Sequence, residues 1–192
     1  MVAQSLKTII IIMLSIFLLS LGACRSGKKT AKKELGRIIE MPCDESKYSS
    51  DDEFIRASQI ARSSDLTVAR EKAFLVTQER LTSLVENSVR TASRRYFNEK
   101  NINQDFDFGE TTESMVIMSA SLTVQMVGIA CEKTFINDSG IYTTSMSLEI
   151  GRQQLLDVIQ NAENTQRYFK LKEDRERFKE IFNEETLRPF QQ

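Results

Sequence analysis

The chain has 192 residues, of which 26 are basic and 27 acidic, so its net charge is −1 at pH 7. This balance lacks the basic excess of nucleic-acid-binding proteins, and we expect no nucleic-acid partner. The sequence contains no histidine and no tryptophan. The commonest general base and metal ligand is therefore missing, and stacking of carbohydrate on indole rings is excluded. The length suits one domain rather than two.

An apolar segment near the start predicts a signal peptide. From Ile9 to Leu21 the chain reads IIIIMLSIFLLSL, without a charge. This length is typical of a signal-peptide hydrophobic region and is shorter than the ~20 residues of a membrane-spanning helix. Ala23 suits the last position of an ordinary cleavage site, whereas Leu21 does not suit the third position before the cut. We therefore predict a signal peptide over residues 1–23.

The segment Leu21-Gly22-Ala23-Cys24 resembles the lipobox of bacterial lipoproteins. The resemblance implies that a diacylglyceryl group alkylates the Cys24 thiol and that cleavage leaves Cys24 at the new amino terminus. The alternative is a plain secretory signal with an incidental cysteine. Each buried methylene contributes about 0.8 kcal/mol, so several acyl chains such as palmitate anchor a protein stably. We expect attachment to a membrane through this lipid, without a spanning helix.

The residues after the cysteine bear on location. In well-studied lipoproteins an aspartate at the position of Arg25 holds the protein at the inner membrane, so the resemblance favours the outer membrane. An acidic stretch directs some lipoproteins to the cell surface, whereas RSGKK at 25–29 is basic. We therefore favour the periplasmic face.

Residues 24–43 are predicted to be a basic tether between the lipid and the domain. Its basic side chains belong to Arg25, Lys28, Lys29, Lys32, Lys33 and Arg37. The tether has two interpretations, a solvated leash or a segment attracted to anionic headgroups.

Two cysteines remain once Cys24 carries lipid. In an exported protein, Cys43 and Cys131 can form a disulfide. The bridge would close a loop of about 88 residues and contribute roughly 4–5 kcal/mol in the chain-entropy model. The alternative is two buried thiols, because Cys131 lies within an apolar strand pattern.

Residues 44–192 are predicted to form a single α+β domain. Phe54–Arg62 is predicted to be a strand, and Ser63–Asp65 supplies residues that cap a helix start. A long amphipathic helix follows to about Lys100. Its three- and four-residue spacing gives a stripe suited to a sheet, formed by Leu66, Ala69, Ala73, Thr77, Leu81, Leu84, Ser88, Ala92 and Tyr96.

A hairpin is predicted in the second half of the domain. Glu110 to about Ser121 is predicted to be a helix, after which the chain becomes extended from Val124 to Ile136. Asn137–Gly140 is a strong turn signal, and Ile141–Ile150 alternates as an antiparallel partner strand.

Two helices are predicted to end the chain. Helical spacing returns after Gly151, and a last helix is predicted from about Gln166 to Leu187. One face of this last helix is densely charged. Its narrow apolar arc either packs on the domain or awaits a partner, and consists of Tyr168, Leu171, Phe178, Ile181 and Phe182.

Several phrases resemble the twenty-kilodalton LPP-type bacterial lipoprotein family, in its Bacteroides-type version. They are FIRAS at 54–58, the helix through RLTSLVENSV at 80–89, CEKT at 131–134 and MSLE at 146–149. The likeness covers roughly residues 41–187. It implies one long helix packed on a three-stranded antiparallel sheet with flanking helices, and it brings no catalytic residues and no cofactor.

Three functions remain to be weighed from the sequence. The first is a non-catalytic, lipid-anchored envelope protein whose domain binds an envelope protein of unknown identity. The second is a binding module for a small apolar or lipid ligand, which methionines such as Met118 and Met146 could line. An enzyme is not expected, because the sequence shows no nucleophile, base and orienting group that would converge in one site. We predict neither catalytic residues nor a metal site nor a cofactor.

Overall fold

The computed structural model describes residues 42–43, 48–100, 107–163 and 165–187, apart from the side chains of Asp107 and Phe108. The predicted signal peptide, the lipobox and all of the tether except its last two residues lie outside the described residues. The described residues belong to a unit that spans Ile39–Gln192.

Three strands form one antiparallel sheet. They are β1 (Phe54–Ser63), β2 (Gly128–Ile136) and β3 (Tyr142–Gly151). The order across the sheet is β1-β3-β2, so β3 is central and the other two are edge strands. A bulge interrupts the register of β2 between Ile129 and Cys131. The predicted α+β class with a three-stranded antiparallel sheet is confirmed.

The long helix α1 (Leu66–Glu99) lies on one face of this sheet. It starts at Asp65, whose carboxylate accepts a hydrogen bond of 2.9 Å from the Val68 N–H, as expected of an N-cap residue. The helix covers β1 and β3. Because a helix rises 1.5 Å per residue, α1 is about 50 Å long and extends beyond the sheet. Its buried residues follow the predicted stripe: Ala69, Ala73, Thr77, Leu81, Val85, Ser88, Val89, Ala92, Ser93, Tyr96 and Phe97.

Three further helices pack around α1 and the sheet. They are α2 (Asp107–Met126), α3 (Arg152–Asn161) and α4 (Lys172–Leu187). Both α2 and α4 contact α1. The charged helix α4 therefore packs on its own domain, the first of the two alternatives, and buries Phe178 and Phe182.

Helix α2 ends later than predicted, and strand β2 therefore begins later than predicted. The apolar residues from Val124 predicted an extended chain, but the helix continues to Met126 and β2 begins at Gly128. The buried face of α2 carries small polar residues, which an apolar pattern does not reveal. Ser119 and Thr123 are fully buried, and their hydroxyls donate to helix carbonyls at 2.8 Å.

The last predicted helix is also divided. Gln166–Tyr168 forms only a short 3-10 turn, and α4 begins at Lys172. Between them the chain turns inward to bury Phe169 completely, whereas Leu171, predicted on the apolar arc, is 60% exposed. Burial of the Phe169 ring thus decides the local structure, rather than the residue spacing that predicted one continuous helix.

An aromatic cluster joins the end of α1 to α4. The Tyr96 ring lies 5.5 Å from Phe169 and 5.7 Å from Phe178, and the last two lie 5.0 Å apart. The Tyr96 hydroxyl donates to the Tyr168 carbonyl at 3.1 Å. Burial, followed by the nearby Asp174 carboxylate, raises the pKa of Tyr96 well above its usual value. Such offset ring contacts add to the stability that burial provides.

Candidate interaction surface

The outer edge of β2 has no backbone partner among the described residues. This strand pairs with β3, and the described residues show no third strand or loop hydrogen-bonded to its other edge. The Asn137 N–H donates to the Ile141 carbonyl at 3.1 Å, and the Thr134 and Thr144 hydroxyls lie 2.9 Å apart. Hydrogen-bonded and non-hydrogen-bonded pairs alternate in an antiparallel ladder. The N–H and C=O groups of residues 132, 134 and 136 therefore point away from the sheet.

A groove lies between this strand and α1. It exists because α1 covers β1 and β3 and leaves the same face of β2 uncovered. The groove has a volume of about 310 Å³ and opens to solvent. The apolar side chains of Phe74, Ile129 and Met146 line it together with Thr67, Arg70, Glu71 and Glu132.

An ion pair crosses the groove from helix to strand. The Arg70 guanidinium donates through Nε to Glu132, and through Nη2 to the other carboxylate oxygen at 3.1 Å. These hydrogen bonds raise the pKa of Arg70. The pair is neutral overall, so Phe74, Ile129 and Met146 form an apolar floor with Glu71 as the remaining charge of the lining.

Apolar side chains are exposed along β2. Ile129 is 54% exposed, Phe135 is 51% and Ile136 is 60%. On α1, the Gln78 side chain donates to the Val124 carbonyl of α2 at 3.3 Å. Exposed apolar residues beside an unpaired strand edge make this surface a candidate for contact with another protein.

The start of the β1 edge is covered instead, at Phe54 and Arg56. The Ser50 hydroxyl accepts a hydrogen bond from the Arg56 N–H at 2.9 Å, and the Asp51 carboxylate accepts from the Phe54 N–H at 2.9 Å. The Arg56 guanidinium pairs with Asp51 and, at 2.7 Å, with Glu149. Partial burial alone would raise the pKa of Asp51, but the hydrogen bonds from Arg56 and the backbone lower it overall.

The two cysteines that were candidates for pairing are joined in the structure. Cys43 and Cys131 form a disulfide with their Cα atoms 5.6 Å apart, and both are buried. The bridge lies on the face of the sheet opposite α1. There the Ser145 hydroxyl also donates to the Pro42 carbonyl. The segment before β1 is thus fastened across the sheet to β2.

A buried charge lies at the start of α3. Arg152 is 2% exposed, and its Nη1 donates to Asn183 at 3.4 Å and to Thr186 in the last turn of α4. Its Nε and Nη2 have no hydrogen-bond partner among the described residues. Burial lowers the pKa of Arg152, although Asp51 and Asp52 oppose this effect. A cation beside a helix C-terminus is stabilised by the helix dipole, so we assign Arg152 a structural role.

The structure does not describe the predicted lipid-attachment residues. Leu21, Gly22, Ala23 and Cys24 lie outside the described residues. Within the described ranges, no group of Cys, Asp or Glu side chains is placed to hold a metal ion, and no helix is long and apolar enough to cross a membrane.

The groove was not predicted from the sequence. Arg70 and Glu132 lie 62 positions apart, and only the fold brings them together. The sequence did signal the exposed apolar end of β2, because the adjacent Phe135 and Ile136 must point to opposite faces of the strand.

Comparison with known proteins finds no family model, no curated protein and no solved structure that matches the chain. The resemblance to the lipoprotein family therefore stays a prediction.

Proposed function

We propose that the protein is a lipid-anchored envelope lipoprotein whose domain is a non-catalytic protein-interaction module. The lipobox-like Leu21–Cys24 supports the anchor, and residues 25–41 would link the lipid to the domain. The observation that carries the interaction function is the open edge of β2 with the adjoining apolar groove.

The proposed location is the outer membrane, on its periplasmic face. The basic residues after Cys24 support this location by resemblance to sorted lipoproteins. A disulfide between Cys43 and Cys131 is compatible with an oxidising envelope compartment, because disulfides persist there and are rare in the cytosol.

A second candidate function is binding of a small apolar or lipid ligand. The groove favours it, since about 310 Å³ is at the lower end of the volumes of small-molecule sites. Such sites, however, enclose most of the surface of their ligand. The openness of this groove makes it better suited to side chains presented by another protein.

Crosslinking in intact cells tests the proposal. The native chain and a Cys24→Ala variant are crosslinked, recovered by affinity and analysed by mass spectrometry, with membrane fractionation of both. We expect the native chain in the membrane fraction, bound to a dominant envelope protein, and the variant in the soluble fraction without it.

Two results would contradict the proposal. If Cys24→Ala remains tightly membrane-bound, the lipid anchor at Cys24 is wrong. If the native chain is abundant but yields no crosslinked protein, the interaction function is wrong. Lipids that copurify with the chain would then be identified to test the second candidate function.

A further inference from the structure

The open edge of β2 has the features of a surface that pairs with itself. The outward-facing N–H and C=O groups of residues 132, 134 and 136 require an extended backbone as a partner. Two copies of β2 can supply it to each other in antiparallel orientation about a two-fold axis, which is the commonest symmetry of protein dimers. The neighbouring side chains determine which register is allowed.

Charge excludes two of the registers. An axis at Glu132 would place this carboxylate directly against the same carboxylate of the second copy. An axis at Lys133 would do the same with two ammonium groups. Like charges directly opposite each other destabilise a strand pair.

An axis at Thr134 avoids both conflicts. Thr134 then lies opposite Thr134 of the second copy, Lys133 opposite Phe135, and Glu132 opposite Ile136. All three outward-facing residues find a backbone partner. An axis at Phe135 would leave residue 132 unpaired and set Lys133 against the Asn137 turn.

The chemistry of the opposed side chains favours this register. Phe135 and Ile136, which are 51% and 60% exposed in the single chain, would be covered by the second copy. The Lys133 ammonium would meet the Phe135 ring, which is a favourable cation–π arrangement. Glu132 already has Arg70 as a partner and remains paired.

The position of α1 leaves room for a second copy beside β2. Because α1 lies over β1 and β3, the face of β2 that carries Ile129 and Glu132 is not covered by its own helix. In the pair, two uncovered strands would lie side by side between two helices, and the two grooves would face each other across the axis.

We infer that the protein forms a two-fold dimer through antiparallel β2–β2 pairing centred on Thr134. This inference rests on the proposed function, because it names a second copy of the chain as the occupant of the interaction surface. A single added strand pair covers less than the roughly 1,200–2,000 Å² of a typical stable interface. The dimer therefore depends on the high local concentration that anchoring to one membrane provides.

Cysteine crosslinking of the full chain in membranes of expressing cells tests the inference. Thr134→Cys is oxidised with a mild catalyst, and the linked peptide is identified by mass spectrometry without reduction. Opposed residues in an antiparallel pair have Cβ atoms about 4.5–5.5 Å apart, close to the distance that a disulfide needs. We expect rapid dimer formation for Thr134→Cys, slower formation for Lys133→Cys, and background for Ser83→Cys on the exposed face of α1.

A matched pair of substitutions tests the charge pattern. In the Thr134→Cys background, Phe135→Lys would face Lys133 of the second copy, and we expect crosslinking to be about tenfold slower. Phe135→Glu removes the same ring but faces Lys133 with the opposite charge, so crosslinking should persist. Because Phe135 is half exposed, neither change is expected to unfold the chain, and retention of the Cys43–Cys131 bridge checks this.

The inference is overturned if Thr134→Cys links no faster than Ser83→Cys, if Lys133→Cys links fastest, or if Phe135→Lys and Phe135→Glu behave alike. These outcomes concern only self-pairing. A different envelope protein crosslinked through β2 would overturn self-pairing and leave the proposed function standing, because one strand edge cannot hold both partners.

Discussion

The two edges of the sheet differ in how they are protected. At β1, Ser50 and Asp51 bind backbone N–H groups of the strand, and Arg56 holds the covering segment by ion pairs. At β2, the described residues place no such segment along the edge, and Phe135 and Ile136 are exposed.

This difference supports the proposal that β2 carries the binding surface. An edge strand with free N–H and C=O groups attracts other strands, and proteins commonly cover or charge such edges. Among the described residues, a segment covers the start of the β1 edge, whereas none covers the β2 edge beside the apolar groove. We propose that the open edge is functional. The following predictions concern the contacts that protect the start of β1, the ion pairs of the domain and the exposed end of β2.

Removal of the disulfide should have the largest effect on stability. Replacing Cys43 and Cys131 by alanine frees the segment before β1 from β2 across a separation of 88 residues. The chain-entropy model gives a loss of about 4–5 kcal/mol in the free energy of unfolding. Urea denaturation in a Cys24→Ala background measures the loss.

The control for this change is the disulfide-containing parent with and without reductant. Reductant should lower the stability of the parent to that of the double variant and leave the variant unchanged. An unaltered denaturation midpoint in the double variant would show that the bridge does not hold the segment.

Loss of Arg56 should have the next largest effect. Its side chain is 15% exposed and pairs with Asp51 and Glu149. We expect Arg56→Met to cost about 1–2 kcal/mol, because hydrogen bonds to charged groups are lost at a partly buried site. Hydrogen exchange should also become faster at the Phe54 and Arg56 amides.

An exposed ion pair provides the matched control. Arg90→Met removes the 2.7 Å pair with Glu113, which joins α1 to α2 at the surface. Exposed pairs contribute about 0–1 kcal/mol. Equal losses for Arg56→Met and Arg90→Met would contradict the role given to Arg56 at the edge of β1.

Acid should weaken the protein moderately. The pKa of Glu99 is lowered by its hydrogen bond with Arg177, and that of Glu113 by Arg90, while the pKa of Asp51 is also lowered. A carboxyl with a lowered pKa in the folded state stabilises the fold above its unfolded pKa and loses this effect as pH falls through the folded value. The free energy of unfolding should thus decrease below about pH 4.

Denaturation from pH 7 to pH 3 measures this dependence. Asp51→Asn should make the dependence shallower, since one of the three carboxyls no longer titrates. A stability that rises on acidification would contradict the assigned pairs.

Changes at the exposed end of β2 should have the smallest effect on stability. Phe135→Ser and Ile136→Ser each should alter the free energy of unfolding by no more than about 0.5 kcal/mol, because both side chains are half exposed or more. The same variants should lose crosslinking to their partner. A large loss of stability would show that these residues belong to the core rather than to a binding surface.

The sequence predicted the main elements well where periodicity and turn chemistry agreed. The Asp65 cap, the small-residue stripe of α1 and the Asn137–Gly140 turn locate the helix and the hairpin. It misplaced the α2–β2 boundary because the last turns of that helix bury Ser119 and Thr123, and the burial of these polar residues depends on packing against α1.

The candidate surface depends on contacts between distant parts of the chain. Strand order decides that β2 is an edge, and the position of α1 decides that its face is open. Neither follows from local spacing, so the sequence pattern of Phe74 and Ile129 is that of ordinary core residues. Disulfide pairing of Cys43 with Cys131 could be predicted only as one of two alternatives.

The most direct test of the account compares the two edges in living cells. A photo-crosslinking amino acid is placed at Phe135 on β2 or at Arg62, an exposed position on β1, a strand without exposed large apolar side chains. If the open edge is the binding surface, illumination should give discrete adducts from position 135 and only background from position 62. Equal labelling from both positions, or adducts from position 62 alone, would contradict the assignment of function to the edge of β2.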